Sequence, residues 1–296
     1  MSGKKILVIG AGGRLGARLV IDWREAGRAV RGLSRPELAL EDPSALRARL
    51  EEEEFDVLVN CAALTNVDRC ERETDEANRV NAVAPGVMAE VCVARGADLI
   101  HVSTDYVFDG EKVEPYTEDD VAEPVSEYGW SKLRGEQAVL GVSGAFRVVR
   151  VSWVFGPDRP SFVDQILRKA LVEPEVSAVD DKWSSPAYTR DLAVWMGILA
   201  DGTVSEGGVF HLTNAGSCTW REYGQHALDV FRGRGAMLRA ERVDSIRMAD
   251  IAAFVARRPV HSTLACGRFE RLSGGLIRSW KEAVTEYVAT LPLEGV

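Results

Sequence analysis

Residues 4–27 read KKILVIGAGGRLGARLVIDWREAG, and this stretch decides the fold. It opens on a continuous apolar run, bends through glycines, and goes on with apolar residues at helical spacing. An unbroken apolar run is the pattern of a strand buried on both faces of a parallel sheet. The pattern recurs: AVRGLS (29–34), DVLVN (56–60), DLIHVST (98–104) and FRVVRVS (146–152) are strand-like, and helical stretches such as 75–96 separate them. Strands alternating with helices predict an α/β fold, a doubly wound parallel sheet of the Rossmann type with helices on both faces.

The rhythm changes after Gly156. Residues 156–175 read as a loop and helix punctuated by Pro157, Pro160 and Pro174. GGVFHLT (207–213) is strand-like, and SWKEAVTEYVATL (279–291) reads as a late amphipathic helix. The expected organisation is a main nucleotide-binding domain over residues 1–156 and a smaller C-terminal, mainly substrate-binding lobe over 157–296. A segment of about 177–215 is expected to return to the first domain. Glu51–Glu54 is most simply a solvated helix face.

Composition narrows the function. The chain has 296 residues, 46% hydrophobic and 27% charged, which suits a soluble globular protein. A net charge of -9 with no basic stripe argues against a nucleic-acid partner. Local arginines or helix N-termini still suit a phosphorylated small molecule. Five cysteines, odd in number and without a C-x-x-C pair, read as reduced thiols of a cytoplasmic protein rather than a disulfide framework or zinc site. The four histidines are dispersed and no acidic pair has ligand spacing, so no metal is expected. No apolar run reaches the length of a signal-peptide core or a membrane span.

Gly10, Gly13 and Gly16 form G-x-x-G-x-x-G between a predicted strand and a predicted helix. Glycines there permit a sharp turn, close approach of a pyrophosphate to the backbone, and tight helix packing, while the helix N-terminus offers free N–H groups. Arg14 and Leu15 share this loop. After the second strand, where an Asp or Glu would accept from an adenosine ribose, stand Ser34 and Arg35. Arginine suits a 2′-phosphate, so NADP(H) is expected over NAD(H), with Arg14 as an assistant.

SEYGWSKLRGE (126–136) carries Tyr128 and Lys132 four residues apart, hence on one helix face. A free phenol has a pKa near ~10 and is a poor acid or base at neutral pH. A cation a few Å away lowers that by about 1–3 units, and such a pair can exchange a proton with a hydroxyl or carbonyl. An aromatic that packs and a lysine that stays wet would show the same spacing.

With NCAALTNVDRCE (60–71), NAVAP (81–85), STDYVFDG (103–110), YGWSKLRGE (128–136), RVSWVFG (150–156), SSPAYTRDLA (184–193) and RRPVHSTL (257–264), the chain resembles the extended short-chain dehydrogenase/reductase superfamily. Within it, the match resembles the dTDP-4-dehydrorhamnose reductase family over nearly its whole length. The resemblance implies that Tyr128 is the general acid protonating a sugar ketone while the cofactor delivers hydride. It implies that Lys132 holds the nicotinamide ribose and lowers the tyrosine pKa, and that Thr104 hydrogen-bonds the same oxygen. Cys61, Ala62, Ala63 and Thr65 would line the cofactor. Asp105 and Trp153 would face the sugar nucleotide, although a tryptophan is as often plain core. His101 reads as a packed core histidine.

Departures from the family pattern fall near the substrate lobe. PVSEYG puts Ser126 and Glu127 where Asn and Val are usual. DKWSSPAY brings Lys182 for Gln, Ser184 for Gly and Ala187 for Thr, and His261 stands where Asn is common. They leave the identity of the sugar open. The expected activity is NADPH-dependent reduction of a 4-keto-6-deoxy sugar nucleotide. The alternatives are a sugar-nucleotide epimerase or dehydratase of the same superfamily, and a non-catalytic protein like the regulatory beta subunit of methionine adenosyltransferase. The expected partner is the small-molecule sugar nucleotide, with no membrane and no nucleic acid; a homodimer is left open.

Overall fold

The computed structural model describes residues 3–293. Its first half is β1 (Lys5–Ile9), α1 (Arg14–Glu25), β2 (Ala29–Leu33), α2 (Pro43–Glu51), β3 (Val57–Asn60), α3 (Val67–Arg72), α4 (Thr74–Asn78), α5 (Ala84–Arg95), β4 (Asp98–Thr104), α6 (Glu127–Val142) and β5 (Arg147–Val151). One turn of π-helix, Arg79–Val83, joins α4 to α5. β1–β5 and the strand Gly208–His211 form a six-stranded sheet. From one edge its order is Gly208–His211, β5, β4, β3, β1, β2, and every pairing is parallel. The expected doubly wound parallel sheet is therefore the observed architecture.

Alternation along the strands supplies two cores. Ile6 and Val8 of β1 pack toward α1 and the helix Thr189–Asp201, while Leu7 and Ile9 pack toward α2, α5 and α6. Each fully buried aliphatic side chain contributes roughly 1.5–3 kcal/mol, so two covered faces demand the unbroken apolar strands that the sequence displays. β2 and β3 flank β1, so the chain winds outward from β1 in opposite directions. Such a switch point leaves a crevice outside the carboxyl ends of the strands.

A third core belongs to the C-terminal half. The helices Phe162–Val172, Trp220–Gly233 and Trp280–Thr290 bury Phe155, Tyr223, Phe231 and Tyr287 together. A capping box starts Trp220–Gly233: Thr219 N–H donates to Glu222 at 2.9 Å, and Glu222 N–H donates to the Thr219 hydroxyl at 3.1 Å. The return to the main sheet starts later than residue 177. Val176–Val179 pairs with Val243–Ile246 in a separate two-stranded ribbon, whereas Thr189–Asp201 and Gly208–His211 rejoin the sheet and its helices, joined on that face by Phe269 and Ile277. Val176–Val179 leaves Ser177 exposed and suits a ribbon with one open face, whereas a strand between two helical layers must be apolar on both faces.

Candidate active site

The loop after β1 turns at Gly10, whose φ of +83° suits glycine and few other residues. Gly10 and Ala11 N–H groups both donate to Leu33 O, at 2.9 and 3.0 Å, and so fix the loop to β2. α1 begins at Gly13 with no side-chain cap and no acidic residue in its first turn. Its leading N–H groups thus face a cleft of about 910 Å³ lined by Gly10, Gly12, Gly13, Arg14 and Leu15. Gly16 supplies the tight helix packing expected of the motif. A Cβ there would lie 2.3 Å from Gly10 O, so this glycine packs α1 against the loop from behind and does not line the cleft.

Arg14 has a structural role as well. Its guanidinium donates to Val154 O (3.0 Å), Arg159 O (3.1 Å) and Pro160 O, stitching α1 to the loop after β5. Donors on all three of its guanidinium nitrogens are thus engaged by that loop. Arg159, a residue the sequence did not single out, returns the contact by donating to Gly12 O at 2.5 Å. Ser34 and Arg35 stand on the rim of the cleft; Arg35 is exposed, and its side chain has no partner among the described residues. Glu41 lines the same rim and was likewise unforeseen.

Cys61, Ala62, Ala63 and Thr65 follow β3 and line the middle of the cleft. Asn60 holds this turn by accepting from Ala62 N–H at 3.0 Å. Asn81, in the π-helical turn, clamps Leu64 by its N–H (2.8 Å) and its carbonyl (3.0 Å) and donates to Ser131 of α6 at 3.0 Å. One buried amide therefore registers the β3 turn against the helix that carries the Tyr–Lys pair. π-turns of this kind recur at functional sites.

Thr104 ends β4, and Tyr128 and Lys132 lie on α6 across from it; all three line the cleft. The departures in PVSEYG acquire a local meaning. Ser126 caps α6, accepting from Gly129 N–H at 3.3 Å, and Glu127 pairs with Arg134 at 2.7 Å. Gly129 explains the glycine beside the tyrosine. A Cβ there would sit 2.2 Å from Tyr106 O, so only glycine lets α6 come this close to the end of β4.

Burial pushes the Tyr128 phenol above its ordinary value, with the Thr104 hydroxyl acting in the opposite direction. The lowered phenol expected from Lys132 is thus not the state found; burial dominates. Lys132 is itself buried and falls to about 8, chiefly by desolvation, with Glu136 acting against it. Its Nζ donates to Val102 O at 2.7 Å and lies 3.4 Å from His101 Nε2. His101 is a fully buried ring whose Nδ1 lies 3.0 Å from Asn60 Nδ2, and burial together with Lys132 holds it well below its usual value.

Asp105 and Trp153 line the far end of the cleft. Trp153 has a φ of +38°, a strained conformation for a side-chain-bearing residue, and its indole Nε1 is buried with no partner among the described residues. A buried donor without a partner carries a desolvation cost that an acceptor would relieve. Asp105 is buried among hydroxyls: Thr104 donates to Oδ1 at 3.1 Å, Ser262 donates to Oδ2 at 2.6 Å, and Ser184 reaches Oδ2 at 3.1 Å. Thr104 also accepts from Tyr106 N–H at 3.2 Å, so contact of its proton with a substrate oxygen requires the hydroxyl to turn away from Asp105. Between the cleft-lining Val67 and Arg69, Asp68 of α3 accepts from Arg258 at 2.6 Å and from the N–H groups of Val255 and Ala256, a pairing that holds its carboxyl at about 2. Among the described residues no cluster of metal-ligating side chains occurs, and no helix is long and apolar enough to cross a membrane.

Comparison with known proteins agrees with this geometry. Residues 4–292 match the family model described as RmlD substrate binding domain. The dTDP-4-dehydrorhamnose reductase of Streptomyces griseus is 37% identical over 285 residues, covering 95% of this chain and 91% of that protein. The crystal structure of a dTDP-4-dehydrorhamnose reductase from Clostridium acetobutylicum superposes with a TM-score of 0.87 at 32% identity, covering 96% of this chain and 98% of that one. The Bacillus anthracis dTDP-4-dehydrorhamnose reductase, solved in complex with NADP, gives 0.88 at 30% identity and covers 97% and 100%. With the match running almost end to end, the chain belongs to the dTDP-4-dehydrorhamnose reductase family, a family of oxidoreductases acting on sugar nucleotides.

Proposed function

We propose that the protein reduces the 4-keto group of a 4-keto-6-deoxy sugar nucleotide at the expense of NADPH, in the manner of dTDP-4-dehydrorhamnose reductases. The observation that carries this reading is the meeting of Tyr128, Lys132 and Thr104 in the same cleft as the glycine loop and Arg35. The cofactor fits the residues present. The uncapped start of α1 suits a pyrophosphate, the rim guanidinium of Arg35 suits a 2′-phosphate, and Lys132 suits the hydroxyls of the nicotinamide ribose. When bound, NADPH supplies the hydride.

The chain's own part is acid catalysis and orientation. Burial keeps the Tyr128 phenol protonated at neutral pH, the state from which it can donate to a ketone oxygen. The Lys132 ammonium, charged below about 8, then stabilises the phenolate that donation leaves. Trp153 Nε1 and Asp105 offer a donor and an acceptor to the sugar. Elimination needs a second carboxylate beside Asp105. That position is Tyr106, whose phenol burial raises further, so it supplies no base near neutral pH.

The test is NADPH oxidation against a panel of nucleotide 4-keto sugars that includes dTDP-4-dehydrorhamnose. One 4-hydroxy sugar nucleotide is expected per NADPH consumed. Formation of a 4-keto-6-deoxy product from a nucleotide hexose without added NADPH would overturn the reading in favour of a dehydratase. Tight cofactor binding with no turnover of any sugar on the panel would overturn it in favour of a regulatory protein.

A further inference from the structure

Lys182 is a cation for which the proton and hydride chemistry has no use. It is 1% exposed, its Nζ donates to Pro259 O at 2.6 Å and to Ser262 Oγ at 3.4 Å, and it lies 5.0 Å from the centre of the Tyr106 ring. An ammonium taken out of water with so few acceptors is costly unless a counter-charge is near. The counter-charge is Asp105. Ser262 Oγ accepts from Lys182 and passes its own hydrogen to Asp105 Oδ2 at 2.6 Å. The hydrogen bonds therefore run in one direction, from Lys182 through Ser262 into Asp105, and Thr104 feeds the other carboxylate oxygen. Hydroxyl donors on both oxygens are what a carboxylate, rather than a carboxylic acid, accommodates. The other cation close to Lys182, Arg258, is already engaged by Asp68.

We infer that Lys182 is a positioning residue for the sugar end of the cleft: acting through Ser262, it holds Asp105 as a fixed acceptor that receives a hydroxyl of the sugar. The inference rests on the sugar-nucleotide reading above. The position is one where the family pattern carries a glutamine, which can donate a hydrogen bond but brings no charge. The direction of the Lys182 titration fits this placement, since burial lowers it to about 8 while Asp105 opposes the shift.

The test is a double-mutant cycle of Lys182→Met and Asp105→Asn on the full chain, with Lys182→Gln as a second variant should the methionine fold poorly. Two quantities are read: the melting temperature, and the affinity of the NADP⁺-loaded protein for dTDP-rhamnose by calorimetry. Each single variant leaves one buried charge alone, so the double variant is expected to melt above the lower of the two singles. Lys182→Met is expected to weaken the sugar nucleotide roughly tenfold or more while leaving NADP⁺ within about twofold, and to add less than about twofold once Asp105 is Asn. Additive losses in both quantities overturn the inference. So does coupled melting with unchanged sugar affinity, which makes Lys182 a strut alone. A wild type that binds no sugar nucleotide and oxidises no NADPH overturns the functional reading instead, and the inference with it.

Discussion

The two ends of the cleft are built from different materials. The cofactor end is mostly backbone: a glycine turn, the open start of α1, and an exposed arginine on the rim. The sugar end is made of buried side chains that hold one another, with Asp105, Ser262, Lys182 and Ser184 drawn from three separate stretches of chain. Backbone donors cost nothing extra to desolvate beyond what the helix already requires, and they serve any diphosphate. Buried charges are costly and directional, so they belong where one ligand has to be told from another.

The widest separation between the ends is expected from Tyr128→Phe. Removing the phenol proton is expected to cut turnover about 10²–10⁴-fold with the NADPH dissociation constant nearly unchanged. Turnover within threefold of the wild type would remove Tyr128 from the chemistry. Next comes the pH dependence of stability at Lys182, whose folded value of about 8 lies below the 10.5 of an ordinary lysine. Below pH 8 both states are protonated and the full cost of burial is present. Between 8 and 10.5 the unfolded chain holds more protons, so stability rises with pH. The wild-type unfolding free energy minus that of Lys182→Gln should therefore climb by up to about 3 kcal/mol across that window in denaturant titrations; a flat difference would mean the ammonium is not buried in solution.

Arg35→Ala tests the other end. Loss of charge-assisted hydrogen bonds, worth about 1.5–3 kcal/mol, should weaken NADPH by roughly 10- to 150-fold and leave NADH nearly untouched. Equal losses for both cofactors would show that the rim does not read the 2′-phosphate. The smallest effects should come from two glycines that let a helix approach a carbonyl. Gly16→Ala and Gly129→Ala each introduce a contact near 2.3 and 2.2 Å, an overpacking of about 1–3 kcal/mol. Gly16→Ala is expected to raise the cofactor dissociation constant and Gly129→Ala to lower kcat. The reverse pattern would undo the division between the ends.

The cofactor end was legible in the sequence because its residues are contiguous and their conformations are dictated locally. Even there, the motif records that a Cβ is excluded at Gly16 and not what excludes it, which is Gly10 O. The anchoring of Arg14 is hidden for a related reason: its partners, Val154, Arg159 and Pro160, lie some 140 residues away. At the sugar end Lys182 was visible only as a departure from pattern. Its link to Asp105 spans 77 residues and passes through Ser262, 80 residues further on, which no spacing rule connects. Ser126 was visible as a departure too, and its position just before a helical run was the available signal for a cap.

The strand Gly208–His211 pairs with β5 only after the chain has left the main sheet and returned to it through Thr189–Asp201. This route governs how the protein can be recombined. A graft meant to give the sugar end a new specificity cannot be made at a single junction near Gly156, because a chain cut there loses the edge strand and the helix that covers one face of α1. A workable exchange needs paired junctions, with residues 189–211 and the Phe269–Ile277 packing on the same face kept from the parent that supplies residues 3–156. The Asp68–Arg258 pair adds a further requirement: its two halves would come from different parents, so any chimera has to match them by charge.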